Sequence, residues 1–208
     1  EMIQKTIKDH KRIIFNGNGY DDSWIKEATE KRGLCNYRTT ADCMPHILDE
    51  KNVRMLTSHK VFSEVELKSR YEIMLENYCK TVMIEACTMV DMAKKQILPA
   101  VSAYTTDLAE SVGKKLKLGT DIACKYEKEA VKKLSILCDK IAEATDLLEG
   151  TLVKIKAAES IGEESEMIRD AVLVAMSELR VACDEAETMT AEKYWPFPTY
   201  GELLFGVR

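Results

Sequence analysis

Chemistry at a protein surface needs nucleophiles, titratable groups or metal ligands set close together, and this chain offers few of them. Its three histidines, His10, His46 and His59, stand alone. Metal sites use clustered ligands such as two histidines four apart on a helix, and none of these is so placed. His46 has Asp42, Asp49 and Glu50 near it in sequence, the pattern of a surface histidine flanked by carboxylates. His59 with Lys60, ahead of a long helical pattern, has the look of a phosphotransfer histidine on a bundle, but it lies outside the helical stripe. Asn16-Gly17-Asn18-Gly19 precedes a helical pattern and invites a phosphate-loop reading. A Walker loop also needs a lysine followed by Ser or Thr, and a dinucleotide fingerprint needs a third glycine and a preceding strand. Neither follows here, so the segment reads as a structural turn whose glycines permit positive φ.

The seven cysteines, at 35, 43, 79, 87, 124, 138 and 183, are odd in number and contain no C-x-x-C pair. That favours reduced thiols in a cytoplasmic protein. Cys79, Cys87 and Cys138 sit among apolar neighbours and are expected to be small buried hydrophobes. Glu85, Asp91 and Lys95 lie close to an apolar stripe and are candidates for buried polar contacts. Charge clusters such as Glu127-Lys128-Glu129 read as solvated helix faces.

The elements that would position these residues are helices. The chain has 208 residues, 46% of them apolar and 31% charged, with four prolines and nine glycines. A net charge of −5 with no basic stripe argues against nucleic-acid binding. No run of eighteen apolar residues would span a membrane. The chain starts at Glu1 inside a helix-like pattern with no signal peptide, so we expect a piece of a longer protein.

Apolar or small residues recur at 67, 71, 74, 78, 82, 86, 89, 93, 97, 100, 104, 108 and 112, always three or four apart. Ser63 and Glu66 form a capping-box signature at its start, and Gly113 marks its expected end. Such a helix would be about 75 Å long, with a kink at Pro99. A second stripe follows Gly119-Thr120: Ala123, Tyr126, Ala130, Leu134, Leu137, Ile141, Ala144, Leu148, Leu152 and Ile155. A third runs through Ile168, Val172, Ala175, Leu179, Ala182, Ala186 and Met189. Short links force neighbouring helices antiparallel. The expected fold is therefore all-α: an antiparallel bundle of three long helices, a short turn-rich helical N-terminal region and an extended aromatic tail.

In the N-terminal region, Met2, Ile3, Ile7, Ile13 and Ile14 could line a helix ending near Phe15. Asp21 or Asp22 can cap a helix that Gly33 ends, and Thr40-Ala41-Asp42 opens another containing Met44 and Ile47. The tail gathers Trp195, Phe197, Tyr200, Leu203, Leu204 and Phe205 around two prolines, too much apolar area for a free terminus. We expect it to dock on residues 1–58.

Several strings resemble one known family. His10-Lys11-Arg12-Ile13-Ile14-Phe15-Asn16-Gly17-Asn18-Gly19-Tyr20 is similar to the segment closing the catalytic region of type III glutamine synthetases. Phe62-Ser63-Glu64-Val65-Glu66-Leu67-Lys68-Ser69-Arg70-Tyr71 and Asp91-Met92-Ala93-Lys94-Lys95-Gln96-Ile97-Leu98-Pro99-Ala100 resemble its C-terminal helices, and Tyr194-Trp195-Pro196-Phe197-Pro198-Thr199-Tyr200-Gly201 its tail. The likeness covers the whole chain in order and is weakest over residues 105–170.

The resemblance implies an ATP-dependent ligase joining ammonia to glutamate through a γ-glutamyl phosphate, with magnesium or manganese, in a ring-shaped cytoplasmic homo-oligomer. The metal-holding carboxylates and phosphate-binding arginines of that chemistry lie upstream in the family. No catalytic, cofactor-binding or metal residue is therefore carried onto this chain, which is expected to be inactive alone. On this reading residues 1–58 close the catalytic region, residues 59–193 form the helical bundle and residues 194–208 are a docking tail. Its expected partners are the rest of its own catalytic region and other copies of the enzyme, with no nucleic acid and no membrane. The competing class is a stand-alone helical-bundle interaction module.

Overall fold

A computed structural model describes residues 1–119 and 121–206. Thr120, and with it part of the expected Gly119-Thr120 link, lies outside the described residues, as do the last two positions of the tail. All regular structure among the described residues is helical. Helix α1 (Met2–Asp9) leads through a 3₁₀ turn to α2 (Asp22–Lys26), which runs on as a π turn, Glu27–Lys31. Two short helices follow, α3 (Thr40–Cys43), continued by the 3₁₀ turn Met44–Leu48, and α4 (Glu50–Ser58). The long elements are α5 (Glu64–Met92), α6 (Leu98–Leu118), α7 (Lys125–Ile155) and α9 (Leu173–Met189), the last preceded by the short α8 (Ile161–Met167). A terminal helix, α10, spans Tyr200–Phe205.

Ser63 starts α5 as the pattern suggests. Its hydroxyl accepts from the Glu66 amide at 3.3 Å, and the Glu66 carboxylate accepts from the Ser63 amide at 2.7 Å. Helix α5 continues into α6 through a π turn, Ala93–Ile97, directly ahead of Pro99. Proline lacks the amide that would bond back to residue 95, and its ring crowds that carbonyl. Widening the preceding turn removes both conflicts and keeps the helix running. Gly113 does not end α6. The helix reaches Leu118, because it still has a neighbour there: Lys115 pairs with Glu127 of α7. A second cross-pair joins Lys94, in the π turn, to Glu149. Going back from Lys115 to Lys94 corresponds to going forward from Glu127 to Glu149, so α7 runs opposite to the α5–α6 rod.

The core is one cluster built along α7. Leu134, Ile141 and Leu148 are fully buried, with Ala86, Ala93 and Val101 of the rod and Ile168, Val172 and Leu179 of the following segment in the same cluster. Thr145 is the polar member on this face, and its hydroxyl donates to the Ile141 carbonyl at 2.6 Å. Ser160 caps α8, and a third π turn, Ile168–Val172, joins α8 to α9 with both end residues buried.

Several expectations are corrected. Met74 is half exposed while its neighbour Leu75 is fully buried. Ala123 is exposed because α7 starts only at Lys125, and Tyr126, in the first turn of α7, is exposed as well. Cys79 is buried, but Cys87 is exposed and Cys138 only half-buried; Cys124 and Cys183 take the inward places. Glu85, Asp91 and Lys95 face solvent, the last two as a surface ion pair.

The tail is corrected most. Trp195 and Phe197 pack on the core cluster of the long helices, against the Met89–Met92 side of α5 and Cys183 of α9, and not on residues 1–58. Tyr194 donates to Asp107 of α6 at 2.7 Å and lies 5.3 Å from the Tyr104 ring. Beyond Pro198 the aromatic area stays outside: Thr199 and Glu202 cap α10, whose Phe205 is 82% exposed.

Leu134→Asp should lower unfolding free energy by on the order of 4 kcal/mol, since the new carboxylate is buried without a partner. Urea denaturation measures this, and a loss under about 1 kcal/mol would place Leu134 outside the core. Truncation after Lys193 should cost about 2–3 kcal/mol of rod stability by uncovering apolar area. The melting temperature should fall, while exchange of the Phe15 to Trp24 amides stays unchanged.

Candidate functional site

The most organised constellation outside the core lies in the first region. Asp21 accepts from the Ser23 amide at 2.8 Å, capping α2, and that amide holds its carboxyl below the usual carboxylate range. Gly33, at φ 61, takes the left-handed conformation that closes the following π turn, with the Leu34 amide donating to the Ala28 carbonyl at 2.9 Å. This stem aims Arg32 back over the preceding loop. Its Nη1 donates to the Ile14 carbonyl at 2.7 Å and to the Arg12 carbonyl at 3.3 Å. Its Nε and Nη2 both donate to Glu27 Oε1, at 2.8 and 2.6 Å. The guanidinium lies 4.9 Å from the Trp24 ring centre and 5.9 Å from that of Phe15, and those rings stack 3.8 Å apart. A planar fork of five donors suits this use, and lysine could not replace it.

The Asn16-to-Tyr20 turn is fixed by packing. A Cβ on Gly17 would sit 2.5 Å from Phe15 Cζ, so the ring leaves room only for glycine. The expected positive φ is absent: among the described residues Gly33 is the glycine that uses it, not Gly17 or Gly19. Asn18 closes the turn by accepting from the Tyr20 amide at 3.1 Å, and Tyr20 itself is 96% exposed. Beside this turn α1 has no buried residue. Met2, Ile3, Ile7, Ile13 and Ile14 all face solvent, where one side of a helix ending near Phe15 was expected. The helix stops at Asp9 and gives way to the 3₁₀ turn Lys11–Ile13.

The first region meets the long helices through α3 and the turn after it, where Ala41 and Met44 are buried. The polar link is Arg169, which donates to Asp42 at 2.6 Å while holding Asp170 with its other face. Thr39 donates to the second Asp42 oxygen at 2.7 Å. That hydroxyl, more than Arg169, holds the Asp42 carboxyl below its usual range.

The histidines are not brought together. His10 ends α1. His46 stacks on Tyr37 at 4.0 Å and bonds Asp49 through Nδ1 at 3.0 Å. The neighbouring Cys35 thiol chiefly pushes the Tyr37 hydroxyl up to about 12. His59 ends α4, exposed and away from the core stripe. Among the described residues no group of three or more His, Cys, Asp or Glu could hold a metal ion, and no helix is long and apolar enough to cross a membrane. Sequence reasoning missed Arg32. Its partners lie five to twenty positions away at no regular spacing, so the pattern Phe15, Trp24, Arg32 offered only an unordered aromatic–cation signal.

The described residues thus form a helical body with an ordered loop and an uncovered apolar face on α1. Residues 1–116 match the family model for the glutamine synthetase C-terminal domain. The chain is 38% identical over 208 residues to a glutamine synthetase of Butyrivibrio fibrisolvens, covering all of this chain and 30% of that protein. It is 31% identical to the type-3 glutamine synthetase of Dictyostelium discoideum and 27% to a glutamine synthetase of Bacteroides fragilis, covering 28% of each. The chain belongs to the glutamine synthetase C-terminal domain family. It spans less than a third of the length of these relatives.

Two outcomes follow for the polar contacts. Arg32→Leu should speed amide exchange at Ile14, whose amide donates to the Lys11 carbonyl, about tenfold, the equivalent of one lost charged hydrogen bond, with residues 134–148 unchanged. Equal exchange would remove Arg32 from the loop's support. Because the folded Asp42 carboxyl titrates below its unfolded value of about 3.9, its contribution is complete above that pH and is lost as pH falls through the lower folded value. The stability gap between wild type and Asp42→Asn should therefore narrow below about pH 4. A gap that stays constant to pH 2 would contradict the clamp.

Proposed function

We propose that this chain is the C-terminal structural part of a glutamine synthetase that makes glutamine from glutamate, ammonia and ATP. The observation that carries this is the end-to-end alignment of the chain with less than a third of relatives that bear that name. ATP and magnesium or manganese are assigned to the rest of the polypeptide, since the described residues supply no metal-holding set. Metal and ATP would supply phosphoryl activation of glutamate there. This chain's residues contribute rigidity and surface.

In this reading the α5–α6 rod, α7 and the α8–α9 segment act as an antiparallel three-helix bundle over residues 59–193. Residues 1–58 close the catalytic region, and residues 194–208 are a tail whose first part is anchored on the bundle. The bundle supports the catalytic region and contributes to a homo-oligomer contact in the cytoplasm. The long polypeptide should form glutamine with ATP, glutamate, ammonia and magnesium, and the 208-residue chain alone should form none. Turnover by the isolated chain, or a long polypeptide that lacks it, would overturn the assignment.

A further inference from the structure

The surface that the fold leaves open is the face of α1 and the turn after it. Met2 is 80% and Ile7 51% exposed, and Ile3, Ile13 and Ile14 are exposed beside them. On α1, residues 2, 3, 6 and 7 share one side, so this is a continuous patch and not scattered side chains. A two-turn helix with no buried residue has little reason to persist in water. The segment after it is nevertheless held firmly. Arg32 ties the Arg12 and Ile14 carbonyls, and the Phe15–Trp24 stack fixes the chain that follows. A rigid base beside an uncovered apolar face fixes where a partner would meet it, so docking need order only α1 itself.

We propose that this face docks on the body of the same polypeptide that precedes it in a longer protein, with Arg32 as the positioning residue. The inference rests on the glutamine synthetase reading. The relatives devote about 70% of their length to chain outside this match, and the matched model is that of a C-terminal domain. Such a body would enter this domain through α1 itself. The tether would give the face and the preceding body a high effective concentration, ahead of any second copy in solution. Tyr20, presented at the tip of a turn that Gly17 and Asn18 lock, adds an aromatic anchor of the kind that fills a partner's pocket.

Amide exchange over residues 2–20 tests this in two proteins: the longer natural polypeptide and the 208-residue chain, whose core closes within itself. Exchange should be at least about tenfold slower in the longer protein. Ile7→Glu should abolish that protection while residues 134–148 stay protected, and the milder Ile7→Thr should reduce it. Equal exchange in the two proteins overturns the proposal. So does protection that appears in the 208-residue chain as its concentration rises, because the occupant is then a second copy. Glutamine formation by the unsubstituted longer protein is measured on the same preparation. Protection without ligase activity rejects the ligase reading and keeps the docking, whereas activity without protection rejects the docking alone.

Discussion

The structure depends on the burial of α7 between the α5–α6 rod and the α8–α9 segment. A helix packed on by two neighbours needs a continuous apolar face, and α7 meets that with Leu134, Ile141 and Leu148, widened by Leu137 and Ile155. Its neighbours answer with small residues. Ala86 and Ala93 on the rod, and Ala175, Ala182 and Ala186 opposite, let the backbones come close enough for the leucines to interdigitate. Each fully buried leucine or isoleucine contributes roughly 1.5–3 kcal/mol. The exposed and partly exposed ion pairs along the rods are minor by comparison, the exposed ones in the range of about 0–1 kcal/mol each. Their value is register: Lys115–Glu127 and Lys94–Glu149 fix which turn of the rod faces which turn of α7.

The first region is attached by different physics. Few of its residues are buried, Ala41 and Met44 among them where it meets the long helices. Asp42, held by Thr39 and Arg169, is the polar link there, while Arg32, between Glu27 and two carbonyls, braces the region internally. Hydrogen bonds to charged groups set direction more strongly than they set stability. A bundle stable by apolar area can therefore hold a surface whose geometry is set separately. That division leaves α1 uncovered without loosening the rods.

The long helices were legible because a 3.6-residue period repeated over dozens of positions leaves few alternatives, and because Ser63 announces the first helix start. The apolar steps did not reveal which of two adjacent residues turns inward. Met74 and Leu75 both satisfy the spacing, and the longer, flexible methionine was left outside. The π turns at Ala93–Ile97 and Ile168–Val172 were illegible for a related reason: an extra residue in one turn shifts the stripe by one place, and a small shift looks like ordinary scatter. Gly113 failed as a stop because contact with α7 outweighed its intrinsic cost of about 1 kcal/mol. Aromatic richness in the tail correctly signalled docking, but composition carries no address. Only the folded rods create the groove beside Met89 and Cys183 that takes Trp195 and Phe197. The Arg32 hub was hidden because its contacts join residues with no shared period.

The central claim is that α7 is the element on which the rest is built. Native-state amide exchange across a gradient of denaturant tests it most directly, because it ranks each segment by the free energy of its opening. The account places the slowest amides at Leu134, Ile141 and Leu148, opening only with global unfolding, and the fastest helical amides in α1. Amides of α7 that open well below the global free energy, while those of α5 or α9 do not, would contradict it.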